Sequence, residues 1–290
     1  MPRPDVIGPQ LYKKIWGKYD NNWGASVVCV VGGQGSAKTA CCLDLAEKKL
    51  SEHPKEKIFW HDTVGSPCQF MKVKKYPWRI FVEEGVDIEF YNITKLKPEY
   101  PQITFFSDIE SLFHLAQYKT INVVYFKSRK SWVAYNKKKY GCSQDDETEK
   151  QGLIEFLMNG NVAAGEWQTI FIDEMESLFP PDVNNRTIDK WWDWTVVTSP
   201  HFIKECRKSR VGLVGNYHKH SSIHHRISEK LMFHIWGLGS IPKNTRVNQS
   251  MVDQCNRGEF CIDHDGAKFG KIEILTVYNP PSEEWVVRYK

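Results

Sequence analysis

The chain has 290 residues, of which 41% are hydrophobic and 26% charged, and its formal net charge is +4. These values are those of a globular protein that can bury a core within one large α/β domain, and the mild basicity permits a nucleic-acid partner without requiring one. No apolar run approaches the roughly 18 residues that a membrane helix needs, and the N-terminus has no signal-peptide core, so we expect a cytoplasmic protein without membrane insertion.

Residues 1–24 are polar and aromatic and are predicted to form an N-terminal extension, ahead of a single domain spanning residues 25–290. The first strand is predicted at Ser26–Val31, because a continuous β-branched run bounded by glycines is typical of a buried parallel strand. A glycine-rich turn follows. Lys38–Leu50 is then predicted as a helix from the spacing of its apolar residues.

The middle of the chain continues the alternation of strands and helices. We predict strands at Lys57–His61, Trp78–Glu83, Asp87–Ile93 and Ile121–Phe126, and helices at Ser107–Gln117 and Glu147–Asn159. Between the last strand and the last helix, residues 127–150 change from Lys/Arg-rich to acidic and are predicted to form a basic loop or hairpin insertion.

The C-terminal half repeats the pattern. We predict strands at Trp167–Asp173, Val211–Gly215, Leu231–Trp236 and Lys271–Tyr278, and a helical region at Arg186–Lys208 broken at Pro200. Strands that alternate with helices indicate an α/β fold with a mostly parallel central sheet flanked by helices.

The turn between the first strand and the first helix matches the pattern G-x-x-x-x-G-K-[ST] over residues 32–39. Small residues let the backbone wrap a phosphate, the helix N-terminus adds partial positive charge, Lys38 can reach the β- and γ-phosphates, and Thr39 can bind Mg²⁺. Ala37 replaces the usual glycine and restricts φ, which affects the fine geometry of the loop. The predicted nucleotide-binding residues are Gly32, Gly33, Gln34, Gly35, Ser36, Ala37, Lys38, Thr39 and Ala40.

The strand at Trp167–Asp173 ends in two adjacent carboxylates. Asp173 is predicted to hold Mg²⁺ together with Thr39, because Mg²⁺ takes one or two carboxylates besides waters and phosphate oxygens. Glu174 points elsewhere and is predicted to polarise the attacking water. Solvated acids commonly end strands, so this interpretation depends on the phosphate loop.

A phosphate loop and a distant apolar strand ending in Asp-Glu resemble the RecA-like division of P-loop ATPases. The resemblance implies a RecA-like fold, ATP and Mg²⁺ as cofactors, and a γ-phosphate sensor on the strand between the two motifs. Val211–Asn216 fits that strand, with Asn216 at its tip, where the division more often has Gln or Thr.

Within the division, the order of features is similar to the FtsK–HerA group of DNA-pumping ATPases and its zonula occludens toxin-like relatives. The basic segment Cys206–Arg210 before the Asn216 strand and Ser222–Arg226 after it carry this weaker likeness. It implies a hexameric homo-oligomer in which an arginine completes the neighbour's site. Arg207, Arg210 and Arg226 are the candidates.

The function predicted from these residues is ATP hydrolysis that drives DNA translocation or packaging for a mobile element. Cations interleaved with aromatics in Lys127–Tyr140 can contact nucleic acid, since cations neutralise phosphates and aromatics stack on bases. An ATP-gated assembly factor or switch that acts on a protein partner is the alternative. A small-molecule kinase is disfavoured by the Asp173-Glu174 pair, because a kinase must keep water from attacking ATP.

Overall fold

A computed structural model describes the chain in several segments. They are residues 27–62, 67–73, 75–127, 129–130, 147–148, 150–159, 166–179, 203, 210–223, 225–228, 230–231, 233–242, 247–263, 270–273 and 283–289.

The strands and helices alternate along much of the chain. The strands are β1 (Val27–Val31), β2 (Glu56–His61), β3 (Trp78–Glu83), β4 (Ile88–Asn92), β5 (Lys97–Glu99), β6 (Ile103–Phe106), β7 (Ile121–Tyr125), β8 (Arg129–Lys130), β9 (Glu147–Thr148), β10 (Trp167–Ile172), β11 (Val211–Tyr217), β12 (Phe233–Gly237), β13 (Glu259–Asp263), β14 (Gly270–Glu273) and β15 (Trp285–Tyr289). The α-helices are α1 (Lys38–Glu52), α2 (Ile109–Leu115), α3 (Lys150–Asn159), α4 (His225–Ser228) and α5 (Gln249–Asp253).

A central sheet organises the molecule. Within the described residues it has ten strands in the order β14-β13-β12-β1-β11-β10-β2-β7-β3-β6. The eight strands from β12 to β6 run parallel, and β13 and β14 add antiparallel pairs at one edge. The predicted mostly parallel sheet is therefore confirmed.

The burial of β1 explains why its sequence is apolar at every position. Val27, Cys29 and Val31 pack into one core cluster, whereas Val28 and Val30 pack into a second cluster. Successive side chains of a strand point to opposite faces of the sheet, so a strand that is covered on both faces needs apolar residues throughout. Helix α1 covers the second face, since its Cys41, Leu45 and Leu50 lie in the same cluster as Val28.

Strand β11 lies between β1 and β10, which is the position that the resemblance implies for the sensor strand. Val30 of β1 is in register with Asn216, and Ile172 of β10 is in register with Gly215. Because parallel strands end at the same edge of a sheet, the phosphate loop after β1 and the acids after β10 lie on either side of the end of β11.

A smaller antiparallel sheet is formed by β15, β4 and β5 in that order. The strand predicted at Asp87–Ile93 exists, as β4, but it pairs with β15 near the C-terminus rather than with the central sheet. The sequence pattern missed β5, β6, β13 and β15. Strands β5, β6 and β15 lie at sheet edges, where an apolar run is not required.

Several element boundaries differ from the prediction by one or more residues, and two of these differences concern the predicted insertion and the sensor strand. The helix expected at Glu147–Asn159 begins at Lys150, because Glu147 and Thr148 form β9, which pairs antiparallel with β8. Strand β11 continues to Tyr217, so Asn216 is its penultimate residue. Residues 1–26, 131–146 and most of the predicted helical region at 186–208 lie outside the described residues. No described helix has the length and apolar character to cross a membrane.

Candidate nucleotide site

Backbone hydrogen bonds hold the phosphate loop between its two neighbouring strands. The Gly32 N–H donates to the Tyr217 carbonyl of β11 at 3.3 Å, and the Gly33 N–H donates to the Leu238 carbonyl just after β12 at 2.9 Å. A Cβ on Gly32 would lie 2.3 Å from Ser36 Oγ, so a larger residue there would displace the Ser36 side chain. The loop is thus fixed at the carboxyl edge of the sheet.

Helix α1 begins directly after the loop, with Ala37 as its N-cap. Among the described residues no side chain caps this end, and the first turn holds no acid. The first N–H groups of a helix have no intrahelical partner, so they are available to an anion, and the helix dipole favours one. The residues predicted to bind phosphate therefore surround an uncapped helix N-terminus.

Ala37 has a left-handed backbone conformation, with φ 72° and ψ 30°. The glycine usual at this position takes that conformation without a steric cost, whereas an alanine Cβ approaches a carbonyl oxygen. Ala37 therefore introduces local strain at the start of α1.

Lys38 lies with its amine inside the loop. Its Nζ donates to the Gly33 carbonyl at 3.1 Å and lies 3.2 Å from His218 Nδ1. Burial lowers the pKa of Lys38, and the nearby carboxylates of Glu176 and Asp173 oppose that shift. A cation that is partly stripped of water interacts strongly with phosphate oxygens.

Thr39 and Asp173 face each other across the end of the sheet. The Thr39 hydroxyl donates to Asp173 Oδ1 at 3.3 Å, although the two residues are 134 positions apart. A hydroxyl and a carboxylate are oxygen ligands of the kind that Mg²⁺ prefers, and Mg²⁺ uses few protein ligands besides phosphate and water. The two predicted metal ligands are therefore close enough to share one ion.

Asn216 connects the acids to the sensor strand. Its Nδ2 donates to Asp173 Oδ1, and its Oδ1 accepts the Glu174 N–H at 3.3 Å. Asn216 is 2% exposed, and Glu174 has a left-handed backbone with φ 54°. The amide thus fixes the orientation of Asp173 and of the turn that carries Glu174.

Three further polar residues border the site, and the sequence interpretation gave none of them a role in it. Glu176 follows Glu174 by two positions, His218 follows Asn216 by two, and Asp62 comes directly after β2. His218 and Asp62 directly follow β11 and β2, and Glu176 lies in the turn after β10. The tertiary structure decides that these three strands are neighbours in the sheet. An acid directly after an apolar strand was the available signal for Asp62.

Asp62 is buried beside the acids of β10. It accepts hydrogen bonds from Trp60 Nε1 at 3.1 Å and from the Gln69 N–H at 3.1 Å. Burial and, secondarily, the negative charge of Asp173 raise the pKa of Asp62 to about 8, and the two hydrogen bonds oppose the shift. This carboxyl group is therefore protonated at neutral pH.

Arg210 is the candidate arginine whose side chain the structure describes, and it is not part of this cluster. It precedes β11, at the end of the sheet opposite the phosphate loop, and its guanidinium lies over the Trp167 ring at 5.7 Å. Arg207 lies outside the described residues, and so does the side chain of Arg226. A role of an arginine in the site of a neighbouring subunit stays a prediction.

No protein-family model and no curated protein matches the sequence. Solved structures do resemble the chain. VirB4 of Thermoanaerobacter pseudethanolicus is 9% identical and has a TM-score of 0.55, over 91% of this chain and 92% of that chain.

Two further solved structures resemble it with lower TM-scores. The genome packaging NTPase B204 from Sulfolobus turreted icosahedral virus 2, in complex with AMPPCP, is 13% identical with a TM-score of 0.49, over 88% of this chain and 100% of that chain. The N-terminal domain of zonular occludens toxin from Neisseria meningitidis is 11% identical with a TM-score of 0.32, over 76% and 78%.

At this level of identity, the likeness to VirB4 concerns the fold. The topology of the chain supports the same fold, because the Asn216 strand β11 lies between the phosphate-loop strand β1 and the Asp173 strand β10. The chain therefore has the fold of a RecA-like P-loop NTPase.

Proposed function

We propose that the chain binds ATP with Mg²⁺ and hydrolyses it. One observation carries this proposal: Lys38, Thr39, Asp173 and Asn216, which come from three separate segments, converge beside an uncapped helix N-terminus. The N–H groups at the start of a helix, an ammonium group and a carboxylate match the charges of a magnesium-bound triphosphate.

Each residue has a chemical role in this proposal. The loop amides and Lys38 bind the phosphates and stabilise the charge that develops on them during transfer. Thr39 and Asp173 would hold Mg²⁺, which would neutralise phosphate charge when bound. Glu174, oriented through its N–H by Asn216, accepts a proton from the attacking water.

We further propose that hydrolysis drives movement of DNA. The support is the motif order shared with the FtsK–HerA group and the basic, aromatic segment at residues 127–140. The resemblance to that group implies that the subunits form a hexameric ring. Arg207 or Arg210 of one subunit then stabilises the transition state in the site of the next subunit.

Steady-state ATP hydrolysis by the wild type and by Lys38→Ala tests the enzymatic proposal. We expect Lys38→Ala to lower turnover at least about 100-fold, because it removes a charge aimed at the reacting phosphates. Lys75→Ala is the matched control, since Lys75 is exposed just before β3, at the end of the strands opposite the phosphate loop. Equal turnover in wild type and Lys38→Ala contradicts the proposal.

The same assay with double- and single-stranded DNA separates the motor from the protein switch. A motor predicts stimulation by DNA, and it predicts that the stimulation falls as salt rises, because phosphate contacts release counterions. ATP turnover that is insensitive to both DNAs at low salt would instead favour the switch that acts on a protein partner.

A further inference from the structure

His218 touches the phosphate-loop lysine. Its Nδ1 lies 3.2 Å from Lys38 Nζ, which also donates to the Gly33 carbonyl. An ammonium group only donates hydrogen bonds, so Nδ1 is the acceptor in this contact. With Nδ1 as the acceptor, the ring hydrogen is on Nε2.

Glu176 holds His218 from the other side. Its Oε1 accepts a hydrogen bond from the backbone N–H of His218 at 3.3 Å and lies 3.7 Å from the ring Nε2 of His218. Glu176 belongs to the 3₁₀ turn Met175–Ser177, which directly follows the catalytic candidate Glu174. The carboxylate thus faces the Nε2 hydrogen and keeps Nδ1 directed at Lys38.

Nucleotide and His218 compete for the same ammonium group. Lys38 is 8% exposed, and the Gly33 carbonyl and His218 account for its hydrogen bonds among the described residues. Phosphate oxygens bear negative charge and bind an ammonium group more strongly than a neutral imidazole does. The lone pair of Nδ1 also repels phosphate oxygens that approach Lys38.

We propose, on the premise of the function above, that His218 is a positioning residue that holds Lys38 in the phosphate loop and loses this contact when nucleotide binds. Release of the imidazole removes the hydrogen-bonded link between Lys38 and the Glu176 turn and leaves only the direct attraction between the two charges among the described residues. Occupancy of the loop is thereby transmitted to the turn that carries Glu174.

Calorimetric titration of the full chain with MgATP, tripolyphosphate and AMP tests this inference, with His218→Ala and His218→Asn as variants. We expect His218→Ala to bind MgATP and tripolyphosphate about 3- to 10-fold more tightly, because binding no longer breaks a hydrogen bond to a charged group. AMP lacks the β- and γ-phosphates that recruit Lys38, so its affinity is unchanged. Asn places an acceptor near the position of Nδ1 and restores wild-type affinity.

The direction of the change distinguishes positioning from a structural role, since damage to the loop weakens binding of triphosphates. Unchanged or weaker binding of both triphosphates by His218→Ala, with melting temperatures equal to wild type, overturns the inference and leaves the proposed function intact. A wild type that binds neither MgATP nor tripolyphosphate overturns both.

Discussion

The Thr39 hydroxyl donates a hydrogen bond to Asp173 Oδ1 at 3.3 Å, which joins the first helix to the strand that ends in acids. Asn216 donates to the same carboxylate oxygen from the strand between them. Asp173 is thus oriented by two hydrogen bonds from different elements of the fold. A metal ligand that is already oriented loses less conformational entropy on binding, and such contacts set metal affinity.

Removal of the Thr39 hydroxyl is expected to weaken metal binding. Thr39→Val keeps the shape of the side chain but loses the oxygen, so we expect the Mg²⁺ concentration for half-maximal ATP turnover to rise by about tenfold or more. Thr39→Ser keeps the hydroxyl and is expected to stay within about twofold of wild type. A titration of turnover with MgCl₂ at fixed ATP measures this, and equal Mg²⁺ requirements in Thr39→Val and Thr39→Ser contradict the assignment.

Replacement of Glu174 is expected to separate binding from hydrolysis. Glu174→Gln keeps the backbone N–H that Asn216 accepts but cannot take a proton from water, so we expect ATP affinity within about threefold of wild type and turnover at least about 100-fold slower. Single-turnover hydrolysis and an equilibrium binding assay measure the two quantities. Glu110→Gln, at an exposed site on α2, is the control; full activity in Glu174→Gln removes Glu174 from the mechanism.

Ala37 provides a test of loop strain by stability. Ala37→Gly suits φ 72° better, so we expect the free energy of unfolding to rise by about 0.5–1 kcal/mol, after the entropy cost of the new glycine. Ala40→Gly, in the first turn of α1, is a control with the opposite expected sign. It should lower the free energy of unfolding by about 1 kcal/mol, because glycine is less favourable than alanine inside a helix. Urea denaturation measures both, and a loss of stability in Ala37→Gly shows that the alanine is not strained.

Asp62 gives the protein a pH-dependent stability with a defined sign. Its folded pKa of about 8 exceeds its ordinary value of 3.8, so between these values the folded state binds more protons than the unfolded state. Stability therefore falls as pH rises through this window, by roughly 1.4 kcal/mol for each pH unit at most.

Asp62→Asn removes the titrating group. We expect the free energy of unfolding of the wild type, minus that of Asp62→Asn, to fall by about 2 kcal/mol between pH 5 and pH 7. Urea denaturation across this range measures the difference, with Asp87→Asn at an exposed site as the control. A difference that does not change with pH shows that Asp62 is ionised throughout.

Parts of the site lay within reach of sequence reasoning because they are local. Residues 32–39 form one continuous loop between an apolar strand and an amphipathic helix, and the whole pattern is visible without knowledge of the rest of the chain. Asp173 and Glu174 are also recognisable as acids that end an apolar strand. The edge strands β5 and β6 carry no such pattern, since strands that are only partly buried need no continuous apolar run.

The chemical groups at the site and the alternation of strands and helices, which indicates a mostly parallel sheet, can be read from the sequence. The order of the strands is seen only in the folded chain. There β11 lies between β1 and β10, which brings Asn216 onto Asp173 and His218 onto Lys38, and β2 sets Asp62 beside the same acids. The order of strands in a sheet depends on how distant segments pack across both of its faces. That packing energy is shared among residues far apart in the chain, so no local spacing of residues encodes it.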